Sequence, residues 1–200
     1  MKYITPILLL IIIVLVVALF FTLGRRGISL DKSEPTRTSD IATPSSSPTT
    51  SLESTQKITG GGILSFPKYE LTVGSDWQLT RESQGQDNEK VTLIKGSYKI
   101  SILQGGFGGS ACLFPGDLDS EGPSARFDSF KEITSKDGDL FRRSWTGEEL
   151  SASGYGICQK TQYGWGSPSL YGSISFTTPP TKTRAMLDEM DSILASITKI

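Results

Sequence analysis

The residues with the clearest spacing for chemistry form a short acidic run, Asp117-Leu118-Asp119-Ser120-Glu121-Gly122. Carboxylates at alternating positions before a glycine can wrap around one hard cation such as Ca²⁺. Counted from Asp117, the twelfth position is Asp128, where an EF-hand has a glutamate, and prolines flank the run, so this is not an EF-hand. Two interpretations stay open. One is a weak calcium site formed by Asp117, Asp119, Glu121 and Asp128, and the other is a solvated acidic loop.

Four aromatic residues near glycine-containing turns are candidates for binding a ligand: Tyr155, Tyr163, Trp165 and Tyr171. If they are exposed, such rings can stack on sugars or hold a peptide, because they offer a large contact area at a low entropic cost. If they are buried, they are ordinary sheet packing, which is what we expect for Trp77 and Trp145. Both interpretations are open for the four candidates.

The composition excludes several classes of chemistry. The 200 residues contain no histidine, which removes the commonest general base, the Ser-His and Cys-His nucleophiles and every metal site that needs an imidazole. The net charge of −1 argues against a nucleic-acid partner. Glu148 and Glu149 are adjacent, so on a strand they would point to opposite faces. We predict no catalytic residue and no cofactor except the weak calcium.

The two cysteines, Cys112 and Cys158, predict a disulfide. An even pair in an extracytoplasmic domain is typical of such a bridge. A redox-active pair is the functional alternative, although the sequence has no CxxC motif. Two buried thiols in an intracellular domain are the other alternative.

The N-terminal part of the sequence predicts a membrane anchor followed by a stalk. Residues 4–23 are uncharged and almost entirely apolar, which is long enough for a transmembrane helix. A cleaved signal peptide is the alternative. Residues 24–62 are rich in Ser, Thr and Pro, so we predict a disordered linker. The positive charges flanking the span are nearly balanced, and the stalk and the cysteine pair favour an extracytoplasmic domain over residues 63–200.

The remaining pattern predicts an α+β domain, an antiparallel sheet covered by a C-terminal helix. Alternating apolar residues and turn signals predict strands around residues 69–73, 77–80, 90–95, 97–104, 127–134, 139–146, 155–162 and 170–177. Helical spacing of apolar residues predicts a helix over residues 181–198. Its apolar face consists of Met186, Leu187, Met190, Ile193, Leu194 and Ile197.

Residues 63–200 resemble PsbP-like domains. The resemblance rests on the opening Phe66-Pro67-Lys68-Tyr69, the strand Glu70-Leu71-Thr72-Val73, the following Trp77 and the apolar C-terminal helix. It implies an α-β-α sandwich around an antiparallel sheet and a binding or accessory role more than an enzymatic one. The chain is also similar to short membrane-anchored extracytoplasmic bacterial proteins in which a stalk carries such a domain.

Together these features predict a single-pass protein of the cell membrane whose C-terminal domain is extracytoplasmic. The predicted function is a non-catalytic binding or accessory module at the cell envelope, with an envelope protein or a glycan as partner. One alternative is a structural envelope component such as a pilin-like subunit, although the early Glu of a pilin helix is absent. The other alternative is a carboxylate-dependent hydrolase.

Overall fold

The computed structural model describes residues 54–83 and 86–200. The predicted transmembrane helix over residues 4–23 lies outside these ranges, as does the predicted linker up to residue 53. Within the two described ranges, no helix is long and apolar enough to cross a membrane.

The described chain forms thirteen β-strands and one α-helix. The strands are β1 (Thr55–Gly61), β2 (Lys68–Gly74), β3 (Gln78–Ser83), β4 (Asn88–Lys95), β5 (Tyr98–Gly105), β6 (Ser110–Leu113), β7 (Ser124–Arg126), β8 (Ser129–Thr134), β9 (Leu140–Trp145), β10 (Gly154–Thr161), β11 (Gly164–Ser167), β12 (Ser173–Thr177) and β13 (Thr198–Lys199). The helix is α1 (Arg184–Ala195).

The strands form two sheets. The smaller has the order β1-β2-β13, and the larger runs β3-β4-β5-β12-β10-β11-β6-β7, with β9 on β10 and β8 on β9. Every pairing is antiparallel except that of β6 with β7. The hairpins predicted at β4–β5 and β8–β9 are confirmed, with Val91 opposite Ile102 and Lys131 opposite Arg143.

Strand β10 is the branch point of the larger sheet. Gly156 pairs with both Ser144 of β9 and Ser175 of β12, so those two strands lie on opposite edges of β10. Gln159 pairs with both Phe141 of β9 and Gly166 of β11. Strand β11 therefore takes over from β12 along one edge of β10, and strands β11, β6 and β7 form a separate end of the sheet.

The predicted α+β class is wrong, because the domain is mostly β. About half of the described residues are in strands (52%) and only 8% are helical. Helix α1 contributes a few side chains to a core that is otherwise built from strand residues such as Leu71, Ile102 and Phe176. The helix contacts β2 of the smaller sheet and β8 of the larger sheet in particular, so it is not a cover over one antiparallel sheet as predicted.

The helix itself begins and ends inside the predicted range. Thr183 is the N-cap, and its hydroxyl oxygen accepts a hydrogen bond of 3.3 Å from the Met186 amide. The predicted apolar face is confirmed, since five of its members are buried and Met186 packs against the core: Leu187, Met190, Ile193, Leu194 and Ile197. After Ala195 the chain leaves the helix and adds β13 to the edge of β2.

The folded part of the chain begins before residue 63, where the predicted linker ended. All seven residues of β1 pair with β2, from Thr55 opposite Gly74 to Gly61 opposite Lys68. The only buried side chain of β1 is Ile58, so its sequence lacks the apolar alternation of a typical strand. Pairing with the strongly patterned β2 orders this polar segment.

Candidate binding groove

A groove of about 440 Å³ lies at the β6–β11 end of the larger sheet. Strands β6, β9, β10 and β11 and the acidic run contribute its walls. The residues that line it include Cys112, Asp117, Arg142, Lys160, Tyr163 and Trp165.

The structure divides the four predicted ligand-binding aromatics into two pairs. Tyr163 is 91% exposed and Trp165 is half-buried, and both line the groove. Tyr155 and Tyr171 are buried in the main core, so their proposed role in binding a ligand is corrected. Trp77 and Trp145 are buried as predicted.

Both buried tyrosines have hydrogen-bond partners inside the fold. The Tyr155 hydroxyl donates to the Glu149 carbonyl oxygen at 2.6 Å, and burial raises the pKa of this phenol. The Tyr171 hydroxyl donates to Asp137 at 3.1 Å and to Asp139 at 3.0 Å. Burial and the neighbouring Asp139 raise the pKa of Tyr171 well above its ordinary range. These phenols are structural donors and do not reach the groove.

Arg142 is the centre of a stack of aromatic rings beside the groove. Its guanidinium carbon lies 3.6 Å from the ring centroid of Phe130, 4.0 Å from that of Trp165 and 4.6 Å from that of Phe114. Its Nε and Nη2 donate to Glu132 Oε1 at 3.1 and 2.9 Å, and the two residues are opposite each other in the β8–β9 ladder. Arginine suits this position because its planar cation can stack on rings and bind a carboxylate at once.

A disulfide lies beneath the groove, and the predicted pairing of Cys112 with Cys158 is confirmed. It joins β6 to β10 across β11, with the two Cα atoms 6.3 Å apart. The β-ladder alone is short here, since β6 pairs with β11 at two positions and β11 with β10 at three. The bridge and Phe114, with Phe127 and Trp165 packed against them, form a small second core that fixes this end of the sheet.

Gly156 shows how closely this second core is packed against β10. A Cβ atom at this position would lie 2.9 Å from Cζ of the Phe127 ring. Only glycine therefore leaves room for the ring without a shift of the backbone or of the ring.

Lys160 brings a second cation to the groove. It is opposite Trp165 in the β10–β11 ladder, and its Nζ lies 5.3 Å from the indole centroid. The side chain is exposed, and it makes no salt bridge with any carboxylate in residues 54–83 and 86–200. Unlike Arg142, it is free to bind an anion.

The acidic residues proposed for calcium do not form a metal site. Asp117 Oδ2 accepts from the Phe114 amide at 2.8 Å, Asp119 pairs with Arg126 at 2.5 Å, and Asp128 accepts from the Gly147 amide at 2.7 Å. In the described part of the chain, no three His, Cys, Asp or Glu side chains lie together as a metal site requires. Glu121, the fourth candidate, therefore belongs to no such group. The run is a loop held by its own turn and by Arg126.

Sequence reasoning missed Arg142 and Lys160 altogether. The one available signal was the pair Arg142-Arg143 inside the segment Leu140–Trp145, whose other residues are apolar except for Ser144. Charged residues on a strand that is apolar at other positions need partners, so they deserve inspection as binding or packing residues. Nothing in the sequence shows that Phe114 and Phe130 would meet Arg142, because that contact depends on the tertiary fold.

No protein-family model, curated protein or solved structure matches this chain. The resemblance to PsbP-like domains therefore stays a prediction.

Proposed function

We propose that this protein is a non-catalytic binding module of the cell envelope and that the groove between β6 and β11 binds a saccharide. The observation that carries the proposal is the exposure of Tyr163 at the groove. Tyr163 is exposed to 91% at the edge of a groove, so its ring is available to stack on a ligand there. The apolar face of a sugar ring is a fitting cover, and its hydroxyls can bond to the polar groups around it.

The groove is suited to binding because its walls are fixed before a ligand arrives. The Cys112–Cys158 bridge holds β6 to β10, and the Arg142 stack holds Trp165 against Phe114. A preformed site loses less conformational entropy on binding than a flexible one does.

The proposed location is the outer face of the cell membrane. The disulfide supports it, because such bridges persist in oxidising compartments outside the cytoplasm. The apolar segment 4–23 supports an anchor in the membrane. We propose that the anchor and the stalk hold the groove at the level of envelope glycans.

The test is calorimetric titration of the full chain, in detergent, with a panel of soluble uronic-acid and neutral trisaccharides. We expect Tyr163→Ala to weaken binding roughly 3- to 10-fold, because an aromatic contact is worth about 0.5–1.5 kcal/mol. The matched control is Leu79→Ala, which also removes an exposed apolar side chain but lies on β3 at the other end of the sheet. The proposal is wrong if no saccharide of the panel binds, or if Tyr163→Ala binds the saccharides as tightly as Leu79→Ala does.

A further inference from the structure

We infer that the bound saccharide is acidic and that Lys160 binds its carboxylate. This inference rests on the proposed function, because it concerns the same groove. Its basis is the set of charged side chains that line the groove and the partners that each of them already has.

The groove contains two cations and one carboxylate: Arg142, Lys160 and Asp117. Arg142 has its own counterion, because Glu132 accepts two of its N–H groups. Lys160 makes no salt bridge anywhere in the described ranges, and its ammonium is held only by the indole ring of Trp165. Among the described residues, Lys160 and Asp117 therefore both lack a counterion, so the groove offers an ammonium group to an anion and a carboxylate to hydroxyl donors.

Lys160 is placed where it can bind an anion beside Tyr163. Cross-strand neighbours on one face of an antiparallel pair are close enough for their side chains to touch, and Lys160 is opposite Trp165. The contact with the indole restrains the lysine side chain but uses none of its three N–H donors. Tyr163 follows only three residues later, in the turn between β10 and β11. An ammonium group and an exposed ring at this spacing fit a sugar ring that carries a carboxylate.

The carboxylate of Asp117 is suited to the hydroxyl groups of such a ligand. Asp117 accepts one backbone hydrogen bond, from Phe114, and a carboxylate has about four acceptor positions. It can therefore accept hydrogen bonds from sugar hydroxyls, and Ser120 lines the same groove. A neutral sugar would use these groups and the aromatic ring but would leave the Lys160 ammonium without a partner.

The experiment compares trigalacturonic acid with its methyl ester, which has the same sugar skeleton without the charge. Calorimetry on the full chain in detergent should show roughly 2- to 5-fold tighter binding of the acid at low salt, the range for one exposed charge pair. The preference should shrink toward equality in about 1 M salt, where the Debye length is about 3 Å.

Variants of Lys160 test whether this residue causes the preference for the acid over its methyl ester. We expect Lys160→Gln to lose the preference for the acid over the ester and Lys160→Arg to retain it. Lys99→Gln is the matched control, since Lys99 is an exposed lysine of β5 away from the groove. All variants should unfold at the wild-type temperature.

The failures of the two proposals differ. If the wild type binds the acid and the ester equally, or if Lys160→Gln keeps the preference, the assignment of an acidic ligand is overturned and the saccharide groove stands. If neither compound nor any other saccharide of the panel binds, both proposals are overturned.

Discussion

Arg142 and Arg143 are adjacent on β9, yet their side chains lie in two different regions of the molecule. Arg142 is stacked between aromatic rings beside the groove, and 17% of its side chain is exposed. Arg143 is completely buried beneath α1, where its Nε donates to Asp191 at 2.7 Å and its Nη2 to Glu149 at 2.8 Å. The separation follows from the strand, because consecutive side chains point to opposite faces.

The two regions stabilise the same kind of side chain in different ways. Around Arg142, three rings surround the cation and its carboxylate partner Glu132 is half exposed. Around Arg143, both partners are largely buried and the cation also lies 5.2 Å from the ring of Trp145 and 4.8 Å from that of Tyr155. The comparison shows that the Arg143 region attaches the helix to the sheet, whereas the Arg142 region leaves a cation near the surface.

The largest expected effect is the loss of the buried arginine. Arg143→Met should lower the free energy of unfolding by about 3 kcal/mol, because it leaves Asp191 buried without its main partner. The loss should stay near the low end for a broken buried pair, since Lys131 still contacts Asp191 at 2.9 Å. Urea unfolding followed by circular dichroism measures the change.

The double variant Arg143→Met/Asp191→Leu is the control for this prediction. Removing both charges should recover much of the lost stability, because no uncompensated carboxylate remains. A double variant as unstable as the sum of the two single variants would show that the pair has no special coupling.

A smaller effect is expected in the groove. Arg142→Met should cost about 1–2 kcal/mol of stability, since exposed and half-buried cation–ring contacts are worth about 0.5–1 kcal/mol each. Glu132→Gln removes the ion pair but keeps the stack, so it should cost less than about 1 kcal/mol. The same urea experiment measures both variants. If Glu132→Gln costs more than Arg142→Met, the ion pair and not the stack holds this residue.

The smallest effect concerns the pH dependence of the helix region. Burial raises the pKa of Glu149, but the hydrogen bonds from Arg143 and Arg184 outweigh it and hold this pKa below its ordinary value. The unfolded chain therefore binds the proton more readily, so Glu149 contributes stability above its unfolded pKa of about 4.3 that is lost as the pH falls further. Glu149→Gln should flatten the fall in stability below about pH 4 relative to wild type. An unchanged acid slope would contradict this assignment.

The parts of the fold that follow from local sequence were predicted, and the parts set by tertiary contacts were not. The hairpin β8–β9 was visible because alternating segments flank Ser135–Gly138, where Gly138 adopts a left-handed φ of +87°. Strand β11 was not visible, because Gly164–Ser167 has no apolar alternation and is ordered by its neighbours. The helix was placed well, but its importance for the fold class was overestimated.

Only part of the candidate site could be predicted from the sequence, because tertiary contacts also decide which side chains are exposed. Tyr163 and Tyr171 both stand near glycines in the sequence, yet one is exposed at the groove and the other is buried beneath the β8–β9 turn. The register of the strands and the identity of their neighbours decide which tyrosine faces solvent. The short stretch of sequence around each tyrosine shows neither of these. The disulfide was predictable because the chain has only two cysteines.

The most direct test of the saccharide groove is a spectrum of the three tryptophan indole N–H groups in ¹⁵N-labelled full-length protein. Trp165 lines the groove, whereas Trp77 and Trp145 are buried in the main core, where the Trp77 Nε1 donates to Glu189. On addition of trigalacturonic acid or its methyl ester, we predict a saturable shift of the Trp165 signal alone. If the Trp165 signal does not move with either compound, or if all three signals move together, the proposed binding groove is wrong.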